Sequence, residues 1–219
     1  NVAKKVAGDS NNDGYLSFWE LLTTGGWIML PLGVMLLAVV YVFAERSIAI
    51  RNAARIDSNF MNIIRDNIVS GNVTAARNFA KNTNNPVARI IDKGIQRIGK
   101  PIDSIEKSMD NVGKLEIYKM ERNLTVLSVI ARIAPLFGFV GTIIGLVMLL
   151  RDFAAATNPS ITDIADAMYV KMITSATGLI IGIISFLGYS YLNTQIDKTV
   201  NKMEVASADF IDILQEPTR

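Results

Sequence analysis

Three stretches of this chain stay apolar for the length of a membrane crossing. Trp27 to Ala44 carries no charge and ends on Glu45-Arg46, about Asn123 to Leu150 carries Arg132 alone, and Met172 to Ile196 carries none. At about 1.5 Å per residue, some eighteen helical residues approach the ~30 Å thickness of a hydrocarbon core. A soluble helical protein can bury one such segment, but three in 219 residues leave too little else to cover them. The pattern therefore predicts an all-α, three-span integral membrane protein.

Between the first two spans the period changes from continuous to amphipathic. Ile56, Phe60, Ile63, Ile64 and Ile68 recur at three- and four-residue steps until Gly71 breaks the run. Val73 to Ala80 predicts a second short helix, stopped by Asn82-Thr83-Asn84-Asn85-Pro86, and about Val87 to Ile98 a third. After Gly99-Lys100-Pro101 no proline interrupts the chain until Pro135, so about Ile102 to Leu150 reads as one helix over ~70 Å long, its first half standing in the cytoplasm. Past the third span, Ile196, Val200, Met203, Phe210, Ile211 and Leu214 continue an apolar stripe, which predicts a helix packed beside that stalk.

Charge sets the orientation. From Arg46 to Arg122 there are fourteen Lys/Arg against eight Asp/Glu, with Arg46, Arg51 and Arg55 after one span and Lys114, Lys119 and Arg122 before the next, so this loop reads as cytoplasmic. The connection from Arg151 to Lys171 carries Asp152, Asp163 and Asp166 and reads as periplasmic. The expected organisation is a periplasmic segment (1–20), a first span (21–45), a cytoplasmic helical region (46–122), a second span (123–150), a periplasmic loop (151–167), a third span (168–196) and a cytoplasmic C-terminal helix (197–219). A start at Asn1 rather than Met also fits removal of a signal peptide, as it would fit a trimmed chain.

Composition narrows the chemistry. The chain has no cysteine and no histidine, which removes thiolate nucleophiles, Ser-His-Asp triads and imidazole metal sites, and argues against an enzyme. A net charge of +2, with no dense basic cluster, gives no reason to expect nucleic acid.

Four segments resemble a known family in the same order along the chain. Gly25-Gly26-Trp27-Ile28-Met29-Leu30-Pro31-Leu32 with Glu45-Arg46 is similar to the first span of ExbB and TolQ proteins, and Asn84-Asn85-Pro86-Val87-Ala88-Arg89 to part of their cytoplasmic loop. Ala134-Pro135-Leu136-Phe137-Gly138-Phe139-Val140-Gly141-Thr142-Ile143-Ile144-Gly145 closely resembles their second-span signature, and Ser175-Ala176-Thr177-Gly178-Leu179 the third-span motif. The resemblance, to the ExbB/TolQ/MotA family and most of all to ExbB, implies a bacterial inner-membrane ring subunit, a pentamer, coupled to protons. It also implies an ExbD-like or TolR-like single-span partner whose aspartate carries the proton, and a TonB-like protein as the element energised. A TolQ-like or gliding-type motor is the alternative within the family, and a calcium-regulated channel or scaffold without force generation the alternative outside it.

The spans also speak for themselves. Gly141 and Gly145, like Gly178 and Gly182, are small-xxx-small pairs that let helices approach closely in lipid, and Gly138 extends the first pair. Counted from the span ends, Thr142 and Ser175 fall ~12 Å and ~10 Å deep, which predicts two hydroxyls at one level. Each can bond back to its own helix, or line a path where a carboxylic acid or water exchanges protons. The resemblance places both at the family's lining threonines, with Thr174 and Thr177 as secondary candidates. Where some relatives carry a glutamate near the start of span three, this chain has Val170. Lys171 beside it either snorkels to the lipid interface or faces a partner carboxylate. Arg132 reads as a structural cation paired with backbone or lipid phosphate.

Ahead of the first span, Asp9, Asn11, Asp13, Tyr15, Ser17 and Glu20 match the ligand positions of an EF-hand loop, with Gly14 at the turn. Ser17 and Glu20 also form a capping box, which explains those two residues without a metal but not the alternation before them. The expected cofactor is Ca2+ at the weak end of about 10⁻⁵ to 10⁻³ M, which calorimetry at millimolar calcium tests.

Overall fold

The computed structural model describes residues 29–57, 59–155 and 161–215, and among them every regular element is a helix. In chain order these are α1 (Met29–Ala54), α2 (Phe60–Val69), α3 (Val73–Asn82), α4 (Pro86–Ile95), α5 (Ile102–Glu121), α6 (Leu124–Ala155) and α7 (Ile161–Gln215). Three of them, α1, α6 and α7 from Lys171 onward, are long and apolar enough to cross a membrane. The fold class is thus all-α with three spans, as the hydropathy pattern predicts. The described residues form two compact units, those within 29–41 and 126–188, and those within 42–125 and 189–215.

In the first unit the three helices carry apolar side chains on almost every side. Leu32, Leu127, Ala134 and Ile181 are buried, while Leu37, Leu136, Val147, Ile183 and Leu187 are exposed. So much exposed apolar surface is tolerable only where lipid or further protein covers it.

The second unit is built as a water-soluble helical domain is built. Phe60 and Phe79 stack with ring centroids 5.5 Å apart, joining α2 to α3. Ile90, Ile91 and Ile95 of α4, Ile105 and Met109 of α5, and Met203, Phe210 and Ile213 of α7 are buried. Gly94 lies where a Cβ would meet Phe210 Cε1 at 2.5 Å and Met109 Sδ at 2.7 Å, so α4 is seated on both neighbours by a missing side chain. Asn85, 2% exposed, ties the segment to α1: its Nδ2 donates to the Ala53 and Arg55 carbonyls at 2.8 and 2.6 Å, while its Oδ1 caps α4 through the Val87 N–H at 2.8 Å. Both of its amide functions are thereby satisfied inside the fold.

Two boundaries differ from the sequence reading. Past the first apolar stretch α1 continues to Ala54, and the helix after it starts at Phe60 rather than Ile56. The long helix expected from Ile102 to Leu150 is broken: Arg122 is extended and Asn123 takes φ 65, the left-handed region that asparagine tolerates better than most residues. Arg46, buried, closes the end of α5 by donating to the Lys119 carbonyl at 3.2 Å, and pairs with Glu45, which lies 3.5 Å from Asn123 Nδ2. Absence of proline is therefore no guarantee of continuity, because an asparagine in the left-handed region serves as well.

A buried carboxylate joins α4 to α5. Glu116, with 4% of its side chain exposed, accepts from Arg89 Nη2 and Lys119 Nζ, each at 2.6 Å. Burial pushes its carboxyl up, and the bonds and charges of Arg89 and Lys119 more than offset this, holding it below the ordinary 4.5. The two cations are largely exposed, so losing the acid frees them to water, whereas losing both cations strands a buried charge. Arg89→Met with Lys119→Met is expected to cost about 3 kcal/mol or more, and Glu116→Gln in the same background to recover most of it. A lowered pKa means stabilisation present above the unfolded value and lost as pH falls through the folded one. Denaturation of the wild type should steepen below about pH 4.5, and Glu116→Gln should remove that component.

Candidate functional site in the second and third spans

Helices α6 and α7 approach backbone to backbone over three turns. A Cβ on Gly178 would lie 2.6 Å from the Ala134 carbonyl oxygen and 3.0 Å from Gly138 Cα; one on Gly138 would lie 3.1 Å from both Ser175 Cα and its carbonyl oxygen. One on Gly182 would lie 2.6 Å from Pro135 Cγ, and Ser185, fully buried, donates to the Leu127 carbonyl at 2.8 Å. The Ala-Pro-x-x-Gly run thus supplies a flat face on α6, and Gly178 with Gly182 its counterpart on α7. Gly141 is also buried. Pro135 costs α6 one backbone hydrogen bond but presents its ring to Gly182.

The hydroxyls cluster around this crossing. Thr174 is 1% exposed, while Thr142, Ser175 and Thr177 are half-buried. Thr142 Oγ1 shares its proton between the Gly138 and Phe139 carbonyls at 3.0 and 2.9 Å, and Thr177 Oγ1 donates to the Ile173 carbonyl at 2.9 Å. Each hydroxyl oxygen keeps acceptor capacity for an incoming donor. Depth is where the count from span ends goes astray. Ser175 lies against Gly138, and Thr142 is four residues further along α6, so the two hydroxyls are offset by about one turn, ~6 Å, rather than level. The polar groups form a ladder along the crossing, with Ser175 one rung below Thr142.

At the level of Thr142 the facing residue is Lys171. Gly145 exposes its backbone to the lysine stem, since a Cβ there would collide with Cγ, Cδ and Cε of Lys171. A groove of about 220 Å³ opens alongside, bounded by Phe139, Thr142, Ile143, Leu146, Lys171 and Met172 among others. Sequence reading assigned Gly145 to helix packing alone; the small residue opposite a long cation was the available signal. Arg132 turns back on its own helix, donating to the Ser128 carbonyl and Oγ at 3.2 Å each. Among the described residues no cluster of His, Cys, Asp or Glu is placed to hold a metal. The expected calcium ligands Asp9, Asn11, Asp13, Tyr15, Ser17 and Glu20 lie outside the described residues, as do the side chains of Asp163, Asp166 and Val170.

Comparison with known proteins converges on one family. The family model described as the MotA/TolQ/ExbB proton channel family matches residues 82–205, more than half of the chain, and includes all of α4, α5 and α6. A protein of Methanothermobacter thermautotrophicus, described only as a homolog of the biopolymer transport protein ExbB, is 26% identical over 187 residues, covering 85% of this chain and 66% of that one. Biopolymer transport protein exbB1 of Vibrio cholerae is 36% identical over 89 residues, covering 40% of this chain and 39% of its own. The chain thus spans just under two thirds of the first relative and two fifths of the second. With the α6–α7 glycine crossing and its hydroxyls inside the matched region, this chain belongs to the MotA/TolQ/ExbB proton channel family.

Proposed function

We propose that this chain is the ring subunit of a proton-driven inner-membrane motor of the ExbB type, energising a single-span partner that carries an intramembrane aspartate. The observation that carries the reading is the α6–α7 crossing, where Thr142, Thr174, Ser175 and Thr177 lie beside the close approach of Gly138 and Gly178 in a proton channel family. Hydroxyls accept from and donate to a carboxylic acid, so an acid held against this ladder can take up and release protons without water crossing the bilayer. No titrating acid is needed on this chain. The static work of assembly falls to Gly138, Gly145, Gly178 and Gly182, and exposed apolar faces of the first unit are available to neighbouring copies and lipid. The reading puts the amino terminus in the periplasm and residues 46–122 and 197–219 in the cytoplasm, because the Lys/Arg excess lies in the 46–122 segment.

Gentle purification followed by subunit counting tests the assembly. A ring of about five copies enclosing a single-span protein is expected, by the family resemblance; a stable monomer or dimer without a partner would reject the reading. Single cysteines at Ser70 and Ser160 of this cysteine-free chain should label from the cytoplasmic and periplasmic sides respectively. The opposite pattern would invert the orientation.

A further inference from the structure

Lys171 is the one residue of the groove whose chemistry the hydroxyl ladder does not use. Its stem lies along the bare backbone of Gly145, and its surroundings are Phe139, Ile143, Leu146 and Met172 with the single hydroxyl of Thr142. Five apolar residues, Leu146 to Leu150, follow Gly145 before Arg151, so the stem is held about 7 Å short of the end of the second apolar stretch. No described carboxylate is among the residues that bound the groove. In lipid an ammonium among apolar side chains pairs with a counter-charge or reaches water.

From this placement we infer that Lys171 is the docking cation of the groove: it receives a carboxylate from the membrane helix of a partner, with Thr142 as the second contact. The inference rests on the motor reading and names the residue that recognises the partner. Charge complementarity selects the occupant. The groove offers one cation and one hydroxyl in an apolar wall, which matches an apolar helix bearing one acid. A lipid phosphate is the competing source of negative charge, but a lysine serving lipid has no need of a glycine on the neighbouring helix to lie against. Arginine at this position would keep the charge, and methionine would keep the stem alone.

Dicyclohexylcarbodiimide provides the probe in the complex purified from native membranes. A protonated carboxylic acid adds to the carbodiimide as an O-acylisourea; an uncharged amine in contact then displaces dicyclohexylurea and leaves an amide with no spacer. The expected product joins Lys171 to an Asp or Glu in the apolar segment of a smaller protein, identified by peptide mass. It should fall at least tenfold in Lys171→Met and in Lys171→Arg, while Lys171→Arg retains the partner and Lys171→Met loses it. An amide to Asp163 or Asp166 of the same chain, no Lys171-dependent product, or full partner retention in Lys171→Met would overturn the inference, leaving lipid or internal pairing as the role of the lysine. A complex that contains a working single-span partner but shows none of these effects sinks the inference and leaves the motor reading intact. A complex with no such partner sinks both.

Discussion

Gly178→Leu is expected to abolish the assembled protein, and Gly178→Ala to lower its thermal stability strongly. The atoms that a methyl would meet are the Ala134 carbonyl oxygen at 2.6 Å and Gly138 Cα and N at 3.0 and 3.1 Å, all of them backbone. No rotamer change relieves a backbone clash, so α6 and α7 must separate, and every contact along the crossing weakens with them. In lipid nothing recovers that loss, because apolar tails solvate the separated faces as well as a neighbouring helix does. For Ala the cost is about 2–3 kcal/mol, and for Leu the helix pair itself is lost. Gly33 provides the control. A Cβ there meets nothing within 4 Å, so Gly33→Ala should be neutral in size-exclusion profile and melting temperature. Equal behaviour of Gly33→Ala and Gly178→Ala would mean that the crossing does not hold the spans together.

How much of this was legible in the sequence depends on which interaction decided each feature. Hydropathy decides the spans, because hydrocarbon penalises every unpaired polar group over a fixed thickness, and α1, α6 and α7 lie over the three apolar stretches. Turn residues on either side placed a helix over Val73 to Ala80, where α3 runs from Val73 to Asn82, and periodicity located the apolar stripe of α7, since such signals are set by residues a few positions apart. Features made by residues far apart in the chain were not legible. The break at Asn123 depends on Glu45 and Arg46, and the burial of Glu116 on Arg89. Asn85, read from the sequence as part of a turn and of a resembling segment, proves to fasten α1 to α4. At the crossing, counting from the span ends placed Thr142 and Ser175 level. The helices are instead in register through Gly138 and Ser175, an alignment fixed by which small residues face each other and not by where hydrophobicity ends.

We propose that the hydroxyls of this crossing handle the transported proton, and the decisive variant is Thr142→Val with Ser175→Ala. Valine matches the shape of threonine, and alanine is smaller than the serine that Gly138 already accommodates, so neither change adds bulk to the crossing. The self-bonds of Thr142 to Gly138 and Phe139 are lost without stranding a backbone group, since those carbonyls remain acceptors within the helix. Each hydroxyl that stabilises a migrating proton contributes about 1–1.5 kcal/mol, or roughly tenfold in rate, so both together amount to on the order of a hundredfold. The measurement is proton flux into vesicles containing the purified complex, driven by an imposed pH difference, with subunit stoichiometry checked in the same sample. The complex should remain intact while its flux falls by about two orders of magnitude, with Thr194→Val, an exposed hydroxyl on α7 outside the crossing, unchanged. Wild-type flux through an intact Thr142→Val, Ser175→Ala complex would contradict it.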